Sequence, residues 1–328
     1  MAGFLIDGIK WPGNIAATNA VEGRQAVDAL KKTGVDFVKM KSFLSRDAYF
    51  AIASEARRQH MVLAGHVPDA VRVAEASDAG QKSIEHLTGV ALGCSALERQ
   101  LLDEKTRAFA ARERARYGRV EQQAAATFDA EIASAFFCKF VGNGTWQVPT
   151  LVELRRNALG DHSAEPGENP TRDDPRWTYL PSSLRDWWSK NRGATVSEEG
   201  EQLFASEVAL TQKMHSAGVL FMAGTDSPNP SILPGFALHE ELKLLVSAGF
   251  SPLEAIQAAT LSPARYLGKE KDLGTIEVGK LADRVLLEAN PLEDISSTRK
   301  IREVIVNGRY LSREKLDGIL AGVQAAAK

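Results

Sequence analysis

Cysteine is scarce in this 328-residue sequence, which contains only Cys94 and Cys138. The two lie far apart and form no CxxC pair, which argues against a disulfide framework and against a thiolate zinc site. No segment approaches the roughly 20 consecutive apolar residues that a membrane-spanning helix needs. The first residues lack a basic segment followed by a long apolar core, so the sequence as written predicts a cytoplasmic protein. A missing N-terminus would leave the compartment open.

An excess of positive charge is missing as well. The sequence has 40 Lys and Arg against 42 Asp and Glu, a formal net charge of −2. Nucleic acids and anionic membranes both attract proteins with a basic surface. Neither is therefore predicted as a partner. The length fits either one large α/β barrel or two ordinary domains.

The hydrophobic pattern alternates between helix and strand. Helical segments at about 20–32, 46–59 and 70–79 each precede a short apolar run, at 36–40, 61–67 and 83–87. Further apolar runs stand at 4–6, 145–151 and 219–223. Short apolar strands separated by helices of ten or more residues are typical of βαβ units, whose parallel sheet is covered on both faces. The pattern thus predicts an α/β fold with a parallel sheet.

Polar residues stand at or near the C-terminal ends of four of these strands: Lys39, His66, His86 and Asp226. Each has an ordinary alternative, since an Asp before Ser-Pro often caps a turn and a strand His is often a hydrogen-bonded core residue. In a (β/α)₈ barrel, however, the C-terminal strand ends meet at one mouth. Burying two imidazoles, an amine and a carboxylate together without a metal would be costly. The set therefore predicts a metal site.

The pattern changes beyond residue 268. Asn307-Gly308 separates two short apolar runs and predicts a two-residue hairpin. We therefore expect a barrel over residues 1–268 and a small β unit with a terminal helix over 269–328. Before that boundary, Ser251, Pro252 and Glu254 predict a capped helix start.

Several segments occur in an order that resembles the amidohydrolase superfamily, and its imidazolonepropionase-like and prolidase-like metal-dependent hydrolases in particular. They are "DFVKM", "AGHVP", "IEHL", "FMAGTDSP", "LGTIEVGKLADRVLLEANPLEDI" and "VIVNGR". The resemblance implies a (β/α)₈ TIM-like barrel with a small β-sandwich. It also implies cleavage of an amide, peptide or cyclic C–N bond by a metal-activated water, on a small-molecule or dipeptide-like substrate. The implied cofactor is one or two divalent ions, most simply zinc, and a homo-oligomer is compatible with it.

The resemblance also implies a role for each candidate residue. Lys39 would be carboxylated to a carbamate that bridges two metals, and His66 and His86 would bind the more exposed ion. Asp226 would bind the more buried ion and act as general base. Lys41 is the alternative carbamate residue. His239, which follows the last strand, is either structural or a residue of the substrate rim.

The sequence departs from the family pattern in one respect. The family's first strand carries a His-x-His pair for the buried metal, and no two of the six histidines here are separated by one residue. By the family pattern the strand "FLIDG" is the third, so we expect a barrel lacking its first two strands and an incomplete second metal site. A catalytically inactive remnant or a binding module is the alternative. Trp177, Trp187 and Trp188 could line a lid over an apolar substrate or pack in the core.

Overall fold

The computed structural model describes residues 4–160, 174–191 and 197–327. The described chain divides into two compact units. The first contains the residues up to Pro149 together with Lys213–Phe221, and the second contains Thr150–Gln212 together with the residues from Met222 onward. Across the described ranges, no helix is both long enough and apolar enough to cross a membrane.

Parallel strands form the centre of the first unit. They are β1 (Phe4–Asp7), β2 (Asn14–Ala16), β3 (Phe37–Met40), β4 (Val62–Gly65), β5 (Ser83–Glu85), β6 (Trp146–Val148) and β7 (Leu220–Phe221). The order β2-β1-β3-β4 forms one sheet and β5-β6-β7 forms another. The backbone N–H of Lys82 donates to the carbonyl of Leu63 at 2.8 Å, which links β4 to the start of β5. The predicted parallel α/β fold is confirmed.

Strand β2 is an addition that the sequence did not indicate. It pairs in parallel with β1, and its residue Asn14 lies opposite Leu5 of β1. The loop between them is held by Asp7, whose carboxylate accepts from the backbone of Phe43 at 2.9 Å and from the indole of Trp11 at 3.1 Å. Because the donors of these hydrogen bonds lie outside β2, no local apolar pattern could predict this strand. The complete barrel and the loss of two strands remain predictions.

Helices cover these strands along the chain. In the first unit they are α1 (Ala20–Thr33), α2 (Arg46–Arg58), α3 (Val73–Asp78), α4 (Val90–Gly93), α5 (Glu98–Ala110), α6 (Arg114–Ala126) and α7 (Ala130–Asn143). Asn19 and Ser45 cap the first two through their side chains, which accept from backbone N–H groups of the first turn. Gly34 ends α1 in the left-handed conformation, with φ of 72°.

The second unit combines helices with an antiparallel sheet. Its helices are α8 (Leu151–Leu159), α9 (Ser182–Lys190), the part of α10 (Glu198–Ser216) up to Gln212, α11 (Ala237–Ser247), α12 (Pro252–Ala259), α13 (Leu261–Tyr266) and α14 (Arg313–Ala326). Two 3₁₀ helices span Pro175–Tyr179 and Ile295–Arg299. Ser251 and Glu254 form the predicted capping box at the start of α12. The predicted helix start is therefore confirmed.

The antiparallel sheet lies near the C-terminus. Its strands are β8 (Arg284–Leu287), β9 (Ile301–Val306) and β10 (Arg309–Leu311), in the order β10-β9-β8. Asn307 and Gly308 join β9 to β10 with φ of 50° and 70°, the two positive values that a type I′ turn requires. The hairpin is confirmed, whereas a domain boundary at residue 268 remains a prediction.

Of Trp177, Trp187 and Trp188, the first and the last pack in the second unit's core. Trp188 is 2% exposed and lies in a cluster with Leu180 and Leu233, against which Trp177 packs. The rings of Trp177 and Trp188 meet edge to face at 5.4 Å between centroids. Trp187 is 43% exposed. Core packing therefore accounts for Trp177 and Trp188.

Candidate metal centre

Lys39 lies on β3, between Leu5 of β1 and Ala64 of β4. Its Nζ is 2.5 Å from Oε2 of Glu85, and both side chains are largely buried. The end of β4 approaches β3 closely because residue 65 is glycine: a Cβ there would stand 2.4 Å from the carbonyl oxygen of Met40. Gly65 also has φ of 112°, which L side chains rarely adopt. The strand end next to Lys39 therefore depends on this glycine.

His66 follows β4 directly and is fixed at both ring nitrogens. Its Nδ1 lies 2.8 Å from Oγ of Ser42, and its Nε2 lies 3.3 Å from Nζ of Lys41. Burial, and next the charge of Lys41, hold the pKa of His66 well below its ordinary value. The neutral imidazole is the form that binds metals. With the proton on Nδ1, donated to Ser42, Nε2 carries the lone pair that faces Lys41, and an ion that binds this nitrogen would take the place of the Lys41 ammonium.

His86 follows β5 and brings its ring against that of His66. The two ring centroids are 4.9 Å apart and the rings are nearly perpendicular, at 81°. The backbone N–H of His86 donates to the carbonyl of Val148 at 3.0 Å. His86 has φ of 56°, in the left-handed region that few residues other than glycine occupy. Such backbone is frequent at binding and active sites.

Glu85 completes a group that sequence reasoning missed. One ligand atom each from His66, Glu85 and His86 lie within 4.8 Å of one another. Two imidazole nitrogens and one carboxylate oxygen form a ligand set of catalytic zinc sites. The residues present therefore fit a divalent metal. The available signal was an acidic residue inside the apolar strand "SIEHL".

Asp226 belongs to the second unit and lies in a turn five residues beyond the end of β7. Its Oδ2 accepts from Nδ2 of Asn229 at 2.8 Å, and its carbonyl accepts from the backbone N–H of Asn229 at 3.2 Å. The Ser227–Pro228 peptide bond in this turn is cis. The indole N–H of Trp188 donates to the carbonyl of Pro228 at 2.9 Å. Like His86, Asp226 has left-handed backbone, with φ of 55°.

Glu153 is a second buried acid near Asp226 in this unit. It is 6% exposed, and its Oε1 accepts from Nδ2 of Asn229 at 3.2 Å and from Nδ2 of Asn157 at 3.1 Å. The pKa of Glu153 is raised to about 7, chiefly by burial; the charge of Arg156 opposes the rise and that of Asp226 contributes to it. No sequence pattern pointed to Glu153, since it stands among ordinary helical residues of α8.

His239 lies on α11 in the second unit, and its Nδ1 is 3.0 Å from Oγ1 of Thr298. Burial, and next the charge of Arg299, lower the pKa of His239. The ring lines a mainly apolar cavity of about 650 Å³, together with Phe236 and residues of α14. The hydrogen bond supports a structural role and the cavity supports a rim role, so both predictions stand.

Comparison with known proteins relates part of this chain to a known family. The profile of the Amidohydrolase family matches residues 177–311. The chain is 30% identical over 141 residues to a 5-methylthioadenosine/S-adenosylhomocysteine deaminase of Moorella thermoacetica, covering 37% of this chain and 33% of that protein. It is 36% identical over 86 residues to an imidazolonepropionase of Symbiobacterium thermophilum, covering 26% and 20%.

A solved structure of a bottromycin amidohydrolase is similar over the whole chain. The TM-score is 0.69 at 21% sequence identity, covering 100% of this chain and 67% of the other. At that identity the likeness shows a shared fold. The chain spans a third or less of the length of the two curated relatives just named. The family profile over residues 177–311, the curated relatives and the shared fold agree with the resemblance of this sequence to the amidohydrolase superfamily.

Proposed function

We propose that this protein is a metal-dependent hydrolase that cleaves an amide, peptide or cyclic C–N bond of a small molecule. The observation that carries the proposal is the group formed by His66, Glu85 and His86, whose ligand atoms lie within 4.8 Å of one another. Three side chains of these types bind catalytic zinc and leave a coordination position for water. The curated relatives include enzymes named as a deaminase and an imidazolonepropionase.

His66 and His86 would hold the ion through ring nitrogens, with either Glu85 or a carboxylated Lys39 as the anionic ligand. In the unmodified protein the ammonium of Lys39 pairs with Glu85. Carboxylation would replace that cation by an anion, so Glu85 and the carbamate would then compete for positive charge. A metal between the imidazoles would supply it. The metal most consistent with two imidazoles and a carboxylate is zinc.

When bound, the ion would polarise the scissile carbonyl and make a water acidic enough to react near neutral pH. Asp226 would take the proton from that water and return it to the leaving nitrogen, as the family resemblance implies. Ser42 would orient His66 by accepting a hydrogen bond from its Nδ1–H. Burial lowers the pKa of His66, which favours the neutral, metal-binding form of its ring.

Two measurements on the purified chain test the proposal: metal content by elemental analysis, and hydrolysis of a panel of N-acyl amino acids, dipeptides and cyclic amides. We expect near-stoichiometric zinc and turnover in the unaltered protein. His66→Ala should lose both. His60→Asn is the matched control, because His60 is exposed and its φ of 54° suits asparagine.

A chain that binds no zinc and hydrolyses nothing on the panel would contradict the proposal and favour the alternative, a catalytically inactive remnant or a binding module. Zinc that remains stoichiometric in His66→Ala would show that the metal lies elsewhere.

A further inference from the structure

The side-chain amide of Asn229 joins two carboxylates in the second unit. Its Nδ2 lies 2.8 Å from Oδ2 of Asp226 and 3.2 Å from Oε1 of Glu153. A primary amide nitrogen has two hydrogens. One hydrogen can therefore serve each carboxylate, and the three side chains form a continuous chain of hydrogen bonds.

Glu153 has two further partners. Its Oε1 also accepts from Nδ2 of Asn157 at 3.1 Å, and Nη1 of Arg156 lies 3.7 Å away. Both partners are on α8, the helix that carries Glu153. The contact with Asn229, in contrast, joins residues 76 positions apart in the sequence. Glu153 thus ties the turn that carries Asp226 to a helix.

Burial strengthens the hydrogen bonds between Asn229 and the two acids. Glu153 is 6% exposed, and Asn229 is partly buried. Hydrogen bonds from a neutral amide to carboxylates are stronger in such surroundings than in water, and a carboxylate without them is costly to bury. The Asn229 amide is therefore favoured in the one orientation that directs both hydrogens at the acids.

We propose that Asn229 and Glu153 are positioning residues for Asp226: Glu153 fixes the amide of Asn229, and the amide fixes the carboxylate plane of Asp226 through Oδ2. The inference rests on the proposed function for its catalytic consequence. The hydrogen bonds that join Asp226, Asn229 and Glu153 do not depend on any reaction. A carboxylate that acts as a base must face its proton within hydrogen-bond reach, so a free rotation about its side-chain torsions would slow the reaction.

The first test is kinetic. Asn229→Ala and Glu153→Ala should lower kcat about 10- to 100-fold, the usual effect of removing a partner that orients a metal ligand, with KM little changed. Glu153→Gln keeps an oxygen that can accept from Asn229 and should recover most of the kcat lost in Glu153→Ala. Asn157→Ala is the matched control, because it removes a hydrogen bond to the same oxygen of Glu153 without contact to Asn229.

A purely structural role for Glu153 would give equal losses in Glu153→Ala and Asn157→Ala, no recovery in Glu153→Gln, and a fall in thermal stability in step with kcat. Any of these results would overturn the inference.

The second test needs no activity. The two side-chain N–H signals of Asn229 in ¹⁵N NMR spectra, identified by their loss in Asn229→Ala, should shift in Asp226→Asn and in Glu153→Ala but stay in place in Asn157→Ala. If the protein hydrolyses nothing but the signals behave this way, the proposed function fails and the positioning chain stands. If the signals shift in neither Asp226→Asn nor Glu153→Ala, the hydrogen bonds from Asn229 to the two acids are refuted.

Discussion

The hydroxyl oxygen of Ser42 lies 2.8 Å from Nδ1 of His66. A hydroxyl can donate or accept, whereas the Lys41 ammonium at Nε2 can only donate, so the ring proton belongs on Nδ1, which donates to Ser42. The contact with Ser42 also limits rotation of the ring, since Lys41 stands at the other nitrogen. Metal-binding histidines usually have such a partner on the nitrogen that does not bind the ion.

Ser42→Ala should therefore weaken zinc binding about 10- to 100-fold, because the ring loses the partner that sets its tautomer. Competition with a chromogenic chelator measures the affinity. Ser54→Ala, on the exposed face of α2, is the control and should bind zinc as the unaltered protein does. Equal affinities in all three proteins would show that Ser42 does not orient His66.

Lys39, and not Lys41, should form the carbamate. The amine attacks carbon dioxide and releases one proton, so the product carries a carbonyl carbon derived from dissolved bicarbonate. In ¹³C-bicarbonate we expect a carbamate signal in the unaltered protein with zinc and in Lys41→Gln, and none in Lys39→Gln. A signal that survives in Lys39→Gln but not in Lys41→Gln would reverse the assignment.

Trp188→Phe should destabilise the second unit. The substitution removes the donor to the carbonyl of Pro228 and leaves a void among Leu180 and Leu233, at a cost of about 1–3 kcal/mol in unfolding free energy. Trp187→Phe, at a side chain 43% exposed, should change it by less than about 0.5 kcal/mol. Urea unfolding of both variants measures these free energies. Similar losses in the two variants would contradict core packing of Trp188.

Glu241 should make stability depend on pH. The side chain is fully buried, its Oε2 accepts from the backbone of Val152 at 2.9 Å, and among the described residues Oε1 has no hydrogen-bond partner. Burial raises the pKa of Glu241 to about 8 from its ordinary 4.5. The folded protein therefore binds a proton that the unfolded chain has already released. The contribution of the protonated Glu241 to stability is fully present below pH 4.5 and is lost as the pH rises through about 8.

The unfolding free energy of the unaltered protein should thus fall between these pH values by roughly 3–5 kcal/mol more than that of Glu241→Gln, at about 1.4 kcal/mol per pKa unit. The exposed Glu199→Gln is the control and should follow the unaltered protein. Urea titrations from pH 5 to pH 9 measure the difference. Parallel curves for the unaltered protein and Glu241→Gln would mean that Glu241 is ionised when folded.

Local patterns in the sequence predicted the elements they determine. Alternating apolar runs located β3 to β7, Asn307-Gly308 located the hairpin, and Ser251 with Glu254 located the start of α12. Strand β2 escaped prediction because hydrogen bonds that Asp7 accepts from Trp11 and from the distant Phe43 hold its loop.

Only part of the candidate site could be predicted from the sequence. His66 and His86 stand at strand ends, and the structure brings their rings together. Asn229 and Glu153 were not predictable, because their contact joins residues far apart in sequence and neither has a distinctive neighbour. The roles of Lys39, Asp226 and His239 remain predictions.

The left-handed backbone at His86 and Asp226 has an evolutionary consequence. Asparagine tolerates that conformation better than most side chains, whereas valine, isoleucine and threonine resist it. A lineage released from selection for chemistry could therefore exchange either residue for asparagine at small cost to folding. Asparagine at both positions in related sequences would mark descendants that kept the scaffold after abandoning turnover.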